Sequence, residues 1–148
     1  MDAILEFQGM YRFLSNFYPS PFVYQDVHYK TVEHYFQAQK AVYADDFKAI
    51  VRAETPLESK RLARKCTIIE GWDAIRDKVM YVGLQNKFNI PDLRIKLLNT
   101  GSVFMQEGNT WGDVYWGVDL KTGKGRNILG KLLMRVRSEL CENDQNFF

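Results

Sequence analysis

Apolar and polar positions along this chain change rhythm several times, and each change marks an element. "AILEFQ" (3–8) alternates every second residue, which predicts a short strand. "GMYRFLSNFYPSPF" (9–22) sets five aromatics among Gly, Ser, Asn and two prolines, the pattern of an irregular but packed loop. "FVYQDVHY" (22–29) fits a hairpin that turns near Gln25-Asp26. In "TVEHYFQAQKA" (31–41) a helical rhythm takes over, with Thr31 placed to cap it. At about 100° per residue, Val32, Tyr35, Phe36, Val42 and Tyr43 form one apolar arc. Glu33 and Lys40 fall at its margin, about 20° apart around the axis but roughly 10 Å apart along it. That rise is too long for an ordinary helix ion pair, so the two side chains can converge on an object between them. Gln39 falls inside the arc and requires a buried partner.

A second helix is expected from Asp45 or Asp46 through "FKAIVRAE". Thr55-Pro56-Leu57-Glu58 combines a cap, a first-turn proline and a capping-box glutamate, and so starts a third. "WDAIRDKVMYVGLQNKF" (72–88) gives the longest helix, with Ile75, Val79, Val82 and Leu84 or Phe88 expected inward. Pro91 opens a shorter one that stops at Thr100-Gly101. "SVFMQE" and "VYWGVD" predict strands, and "NILGKLLMRVRSEL" predicts a closing amphipathic helix. With no regular strand–helix alternation, the order predicts a single, compact, predominantly helical α+β domain with a few short strands. It is expected to occupy 1–141, followed by a short tail, 142–148.

Composition narrows the function classes. The chain has 148 residues, 46% of them hydrophobic and 26% charged, enough for a core without staples. A net charge of +2 is too small to indicate a nucleic-acid partner by itself. Cys66 and Cys141 form no CxxC pair, and His28 and His34 match no usual metal spacing, so no metal is expected. No apolar run approaches the roughly 18 residues of a membrane span, and no leader pattern opens the chain. The expectation is a soluble, reduced, cytoplasmic protein without a membrane partner.

Three segments carry polar groups where a plain core would not. In "RFLSNFYPS", Arg12, Ser15 and Asn16 alternate with Phe13, Phe17 and Tyr18. Such donors either satisfy loop amides or meet a ligand with a ring and polar edges. The helix with Glu33 and Lys40 is the second, its two long side chains either snorkelling from a core edge or gripping a ligand. The third is "EGNTWGDVYWGVDLKTGKGRNILGKLLM" (107–134). There Glu107 and Asp113 flank an aromatic turn, and Trp116-Gly117 closes a strand. Gly123, Gly125, Asn127 and Gly130 lead into the last helix, whose free amides would suit an anion beside Lys124 and Arg126, though hairpin glycines explain part of the pattern.

"FLSNFYPSPF", "TVEHYFQAQKA", "LLNTGSVFMQE" and "DVYWGVDLKTGKGRNILGKLLMRVR" resemble, in this order, the motifs of the NADAR (NAD- and ADP-ribose-associated) family, also called YbiA-like. The resemblance runs from about Phe7 to Arg137. It implies an N-glycosidase that hydrolyses the C–N bond of phosphoribosylated amino-pyrimidine intermediates of riboflavin biosynthesis, releasing ribose 5-phosphate. Other branches imply removal of ADP-ribose from guanine in nucleic acid, or a module that binds ADP-ribose or NAD without cutting it. A small phosphoribosyl or ADP-ribosyl molecule is the expected partner, with nucleic acid entering only as ADP-ribosylated guanine.

The family's motif acids and lysine match Glu33, Lys40, Glu107 and Asp113. Asn16 matches its LSNF element, and Trp116, Gly117, Gly125, Asn127 and Gly130 match its closing motif. Arg12, Ser15, Phe17, Trp116, Gly117, Gly125 and Asn127 join Asn16 as expected substrate contacts. Trp111, Gly112 and "CENDQNFF" have no counterpart in the pattern. The bond being cut needs a carboxylate near C1′, a proton for the leaving nitrogen and a placed water. Glu33 or Glu107 would move protons and Asp113 would hold ribose hydroxyls or water. Lys40 would either attack C1′ as a neutral amine or hold phosphate. Neither route requires a cofactor or metal.

Overall fold

A computed structural model describes residues 3–146, with side chains through residue 144. The class is α+β and predominantly helical, as expected. Contacts divide the chain into two units: Asn16–Ile90, and the remainder, Met1–Ser15 with Pro91–Phe148.

The Asn16–Ile90 unit opens with a hairpin of β2 (Phe22–Tyr24) and β3 (Val27–Tyr29), paired antiparallel with Tyr24 opposite Val27. Gln25 and Asp26 turn it at φ 49° and 65°, the left-handed pair that such a two-residue hairpin needs. Helix α1 (Val32–Ala38) follows, and every one of its seven residues is buried. Thr31 caps it by accepting from His34 N at 3.1 Å. His34 Nε2 lies 2.9 Å from Ala53 O, and Nδ1 lies 2.8 Å from Thr31 Oγ. A carbonyl only accepts, so Nε2 carries the proton and Nδ1 accepts from the Thr31 hydroxyl. Burial, opposed by the Ala53 hydrogen bond, pushes this ring below the usual histidine range.

Two expectations fail here for one reason. The helix stops at Ala38, before Lys40, and Val42 and Tyr43 are exposed rather than part of an apolar arc. Residues 40–42 instead pair with 67–69: Ile69 N donates to Lys40 O at 2.9 Å and Val42 N to Thr67 O at 3.1 Å. Tertiary pairing overrides the helical rhythm. Gln39 finds its partner in the Tyr29 hydroxyl, at 3.0 Å.

Helices α2 (Ala44–Arg52), α3 (Pro56–Lys65) and α4 (Trp72–Lys87) surround α1. Thr55 caps α3 by accepting from Glu58 N at 3.1 Å. In α4 the inward face is Trp72, Met80, Gly83, Leu84 and Lys87. Of the residues expected there Leu84 is buried, as is Phe88 just past the helix, while Val79 and Val82 are only half-buried and Ile75 is exposed. Gly83 sets this rotation. A β-carbon there would sit 2.8 Å from the Tyr35 ring, so only glycine lets α1 and α4 approach. The Tyr35 ring is in turn packed by Phe22, Tyr24 and Tyr29, at 5.4–5.8 Å between centroids.

The other unit holds a 3-10 helix (Gly9–Leu14), α5 (Pro91–Leu98) and α6 (Ile128–Asn146). Of the stretch expected as a tail, residues 142–146 continue α6, and 147–148 lie outside the described residues. Strands are shorter than expected. β1 (Ala3–Ile4) pairs in parallel with β4 (Phe104–Met105), and β5 (Gly108–Asn109) in parallel with β6 (Val118–Asp119). Only residues 110–117 separate β5 from β6, below the dozen or so that a parallel crossover normally takes, so side chains must close this loop. No helix among the described residues is long and apolar enough to cross a membrane.

Lys87 is wholly buried, its Nζ 5.1 Å from the Phe88 ring centroid and 5.9 Å from that of Tyr18. Burial pushes its amine down to about 7. The unfolded chain therefore holds more protons at this site between about pH 7 and the ordinary lysine value near 10.5. Stability contributed through Lys87 should rise with pH from 7 to about 9 and stay low below 7. Thermal unfolding across that range should show Lys87→Met flattening the slope of melting temperature against pH; an unchanged slope would rule out Lys87 as its source.

Candidate active site

Within the Asn16–Ile90 unit, Glu33 and Lys40 are placed by different elements. Glu33 sits in the first turn of α1, 7% exposed, where its carboxylate favours the helix dipole. Gln37, one turn on, gives its amide Nε2 to Glu33 Oε1 at 2.7 Å. Glu33 N donates to Asn16 O at 3.1 Å, which ties the LSNF loop to the start of α1. Asn16 Nδ2 reaches Met80 Sδ at 3.4 Å, so α4 braces the same loop.

Lys40 lies just past α1, half-buried, with Nζ 5.4 Å from the Phe36 ring centroid and 5.8 Å from that of Trp72. Those two rings pack on each other at 5.1 Å. Burial holds the Lys40 ammonium below the usual lysine range, and the Glu33 carboxylate opposes the shift. The result is an amine kept accessible yet easier to deprotonate than a surface lysine. Phe17 is half-buried in the same unit.

In the other unit Glu107 and Asp113 meet through a residue that the sequence analysis did not single out. Asn109, 1% exposed, donates from Nδ2 to Glu107 Oε2 at 3.0 Å and to Asp113 O at 2.9 Å. Its Oδ1 accepts from Asp113 N at 3.0 Å. This side chain closes the short loop between β5 and β6. Asp113 Oδ1 accepts from the amides of Tyr115 (3.1 Å) and Trp116 (2.9 Å), so that oxygen builds a turn. Gly117 lies against Glu107, where any β-carbon would collide with the Glu107 carboxylate and carbonyl. Arg12 is exposed on the 3-10 helix, and Ser15 N closes that helix on Arg12 O at 2.9 Å.

The expected anion seat at the start of α6 is not present as such. The amides of Arg126, Asn127, Ile128 and Leu129 donate to the carbonyls of Val114, Gly117, Tyr115 and Trp116, at 2.7–3.2 Å. Asn127, buried at φ 54°, accepts from Glu107 N with Oδ1 (3.0 Å) and donates to Met105 O with Nδ2 (2.9 Å). Gly125 passes so close to Gly117 O that no side chain fits. Gly125 and Asn127 therefore frame the loop that carries Glu107. Their glycine-rich signal is that of tight backbone packing rather than of exposed amides.

The sequence analysis also passed over Gln37 and Lys87. Lys87 falls one helical repeat beyond Met80 and Gly83, but misplacing the inward face of α4 concealed it. Gln37 carries no distinguishing signal beyond its i+4 spacing from Glu33.

The chain matches the NADAR domain over residues 6–141. It is 35% identical to N-glycosidase YbiA of Escherichia coli (strain K12) over 146 residues, covering 95% of this chain and 90% of the relative. It is 38% identical to an N-glycosidase of Nostoc punctiforme over 136 residues, 88% and 86% of the two chains. A riboflavin biosynthesis protein of Vibrio vulnificus matches at 38% over 135 residues, 88% of this chain but 36% of that longer one. The NMR structure of E. coli YbiA superposes with a TM-score of 0.87 at 32% identity, over 98% of this chain and 89% of that one.

If Asn127 is a frame residue, Asn127→Ala should cost about 3 kcal/mol in urea unfolding. It strands the Glu107 amide and the Met105 carbonyl and puts alanine at a left-handed position. Unchanged stability with a raised KM would instead make Asn127 a ligand contact.

Proposed function

This chain belongs to the NADAR family, and from that membership we propose that it is a hydrolase of N-glycosyl bonds acting on a small phosphoribosyl substrate. The substrate is a phosphoribosylated amino-pyrimidine of riboflavin biosynthesis, and the products are the free amine and ribose 5-phosphate. The names of the relatives, N-glycosidases and a riboflavin biosynthesis protein, support the reaction and the substrate class. The observation that carries the chemistry is Lys40: a half-buried amine beside two aromatic rings, held below the usual lysine range and within the field of Glu33.

In such a substrate the nitrogen on C1′ is exocyclic, so the sugar ring opens to an iminium. Neutral Lys40 Nζ adds to C1′, ionised Glu33 takes the extra proton that Nζ then carries and passes it to the leaving nitrogen, and the aminopyrimidine departs as a neutral amine. This forms a protonated Schiff base between Nζ and C1′. Water adds to C1′ and gives a proton to Glu33, which passes it to Nζ. The C–N bond to lysine then breaks as the C1′ hydroxyl becomes the aldehyde carbonyl, its proton going to solvent, and ribose 5-phosphate is freed. One water is consumed and one amine released.

Borohydride added during turnover should reduce the Schiff base and leave ribose phosphate fixed to the peptide holding "FQAQK". Lys40→Arg should be as inactive as Lys40→Ala, because guanidinium stays protonated near pH 7. The wild-type rate should rise with pH through the lowered Lys40 value, since the deprotonated amine is the reactive form. An active arginine variant with no trapped adduct would leave Lys40 only a phosphate-holding role. Turnover of the phosphoribosylamino-pyrimidine and of ADP-ribosylated guanine, measured side by side, tests the substrate class.

A further inference from the structure

Two residues hydrogen-bonded to Glu33 each carry a buried acceptor oxygen that is unmatched. Gln37 is 4% exposed and spends its amide Nε2 on Glu33, while its Oε1 accepts from no described group. Asn16 takes Glu33 N on its backbone oxygen, and its buried Oδ1 likewise accepts from none. The orientation of Gln37 follows from chemistry: an ionised carboxylate only accepts, so the NH2 faces Glu33 and the carbonyl faces away. A buried acceptor without a donor lowers stability, and an apolar side chain of the same shape would not. Surplus acceptors complement a ligand rich in donors. A vicinal diol offers O–H groups, whereas a phosphate at neutral pH offers mainly acceptors.

We propose that Gln37 is a specificity-determining residue: its amide fixes Glu33, and its carbonyl oxygen takes a hydroxyl of the pentose ring, with Asn16 Oδ1 receiving the neighbouring one. This rests on the glycosidase reading and names the part of the substrate that the α1 end of the site recognises.

The test uses Gln37→Met, close to glutamine in shape and without its polar groups. On the ribosyl substrate, kcat/KM should fall about tenfold or more. The fall should shrink, to the part that comes from loosening Glu33, on whichever of the 2′-deoxy and 3′-deoxy analogues lacks the hydroxyl that Gln37 takes. An equal fall on all three substrates would reduce Gln37 to a support for Glu33 and overturn the inference; so would no fall on any. If wild-type protein turns over none of them, the glycosidase reading fails, and calorimetric titration decides the inference alone. Ribose 5-phosphate bound more weakly by the variant than by wild type, with a deoxyribose 5-phosphate bound equally, would support it. Equal affinity for ribose 5-phosphate would overturn it.

Discussion

Helix α1 has no solvent face, and that constraint organises the Asn16–Ile90 unit. A helix of seven residues is too short to be stable alone, so its hydrogen bonds persist because every side is packed. The same packing leaves no water for His34 and little for Glu33 or Gln37, so each must find its partner mainly in the protein or in a ligand. His34 is fully matched, between Thr31 and Ala53. It ties the helix start to the end of α2, where Lys30 Nζ also donates to Ala53 O at 2.7 Å. Glu33 is matched by Gln37 and by its own amide on Asn16. What remains unmatched, two carbonyl oxygens, clusters around the one acid of the helix. A unit that satisfies its structural histidine so completely has marked out a different use for its neighbour.

Two lysines of this unit are shifted by burial in different ways. Lys87 is displaced further, down to about 7, but it is wholly enclosed and no substrate reaches it without unfolding. Lys40 is displaced less because opposing effects meet there. Burial disfavours the ammonium, while Glu33 and the faces of Phe36 and Trp72 favour it. An amine that must alternate between charged and neutral forms is better served by that balance than by enclosure. The pairing of 40–42 with 67–69 supports it, since it takes Lys40 out of the helix and gives its backbone a fixed position.

Local signals in the sequence were read correctly wherever one residue decides the outcome. Thr31, Thr55, the Gln25-Asp26 turn and the Thr100-Gly101 stop, with Gly101 at φ 70°, all act as their chemistry dictates. The acids and Lys40 were named from motif resemblance, which carries nothing of their settings. What failed depended on distant residues. The end of α1 is set by strand pairing near Ile68, and the inward face of α4 by the Tyr35 ring against Gly83. Neither partner lies within a helical repeat of the residue it governs, so periodicity could not contain it.

The glycine-rich approach to α6 makes the same point about chemistry. Glycines, a lysine, an arginine and a helix start are the ingredients of an anion cradle, but a cradle needs unspent amides. Here four successive amides are spent on the carbonyls of 114–117, because that loop must be closed without a crossover helix. Gly117 and Gly125 are glycine so that Glu107 and the loop backbone can touch, and Asn127 and Asn109 replace the hydrogen bonds that a longer connection would have supplied. Rigidity at Glu107 is thus obtained from the groups that would otherwise have held phosphate. Unspent acceptors are found in the Asn16–Ile90 unit instead, on Gln37 and Asn16. A phosphate would be met by charged side chains rather than by these α6 amides.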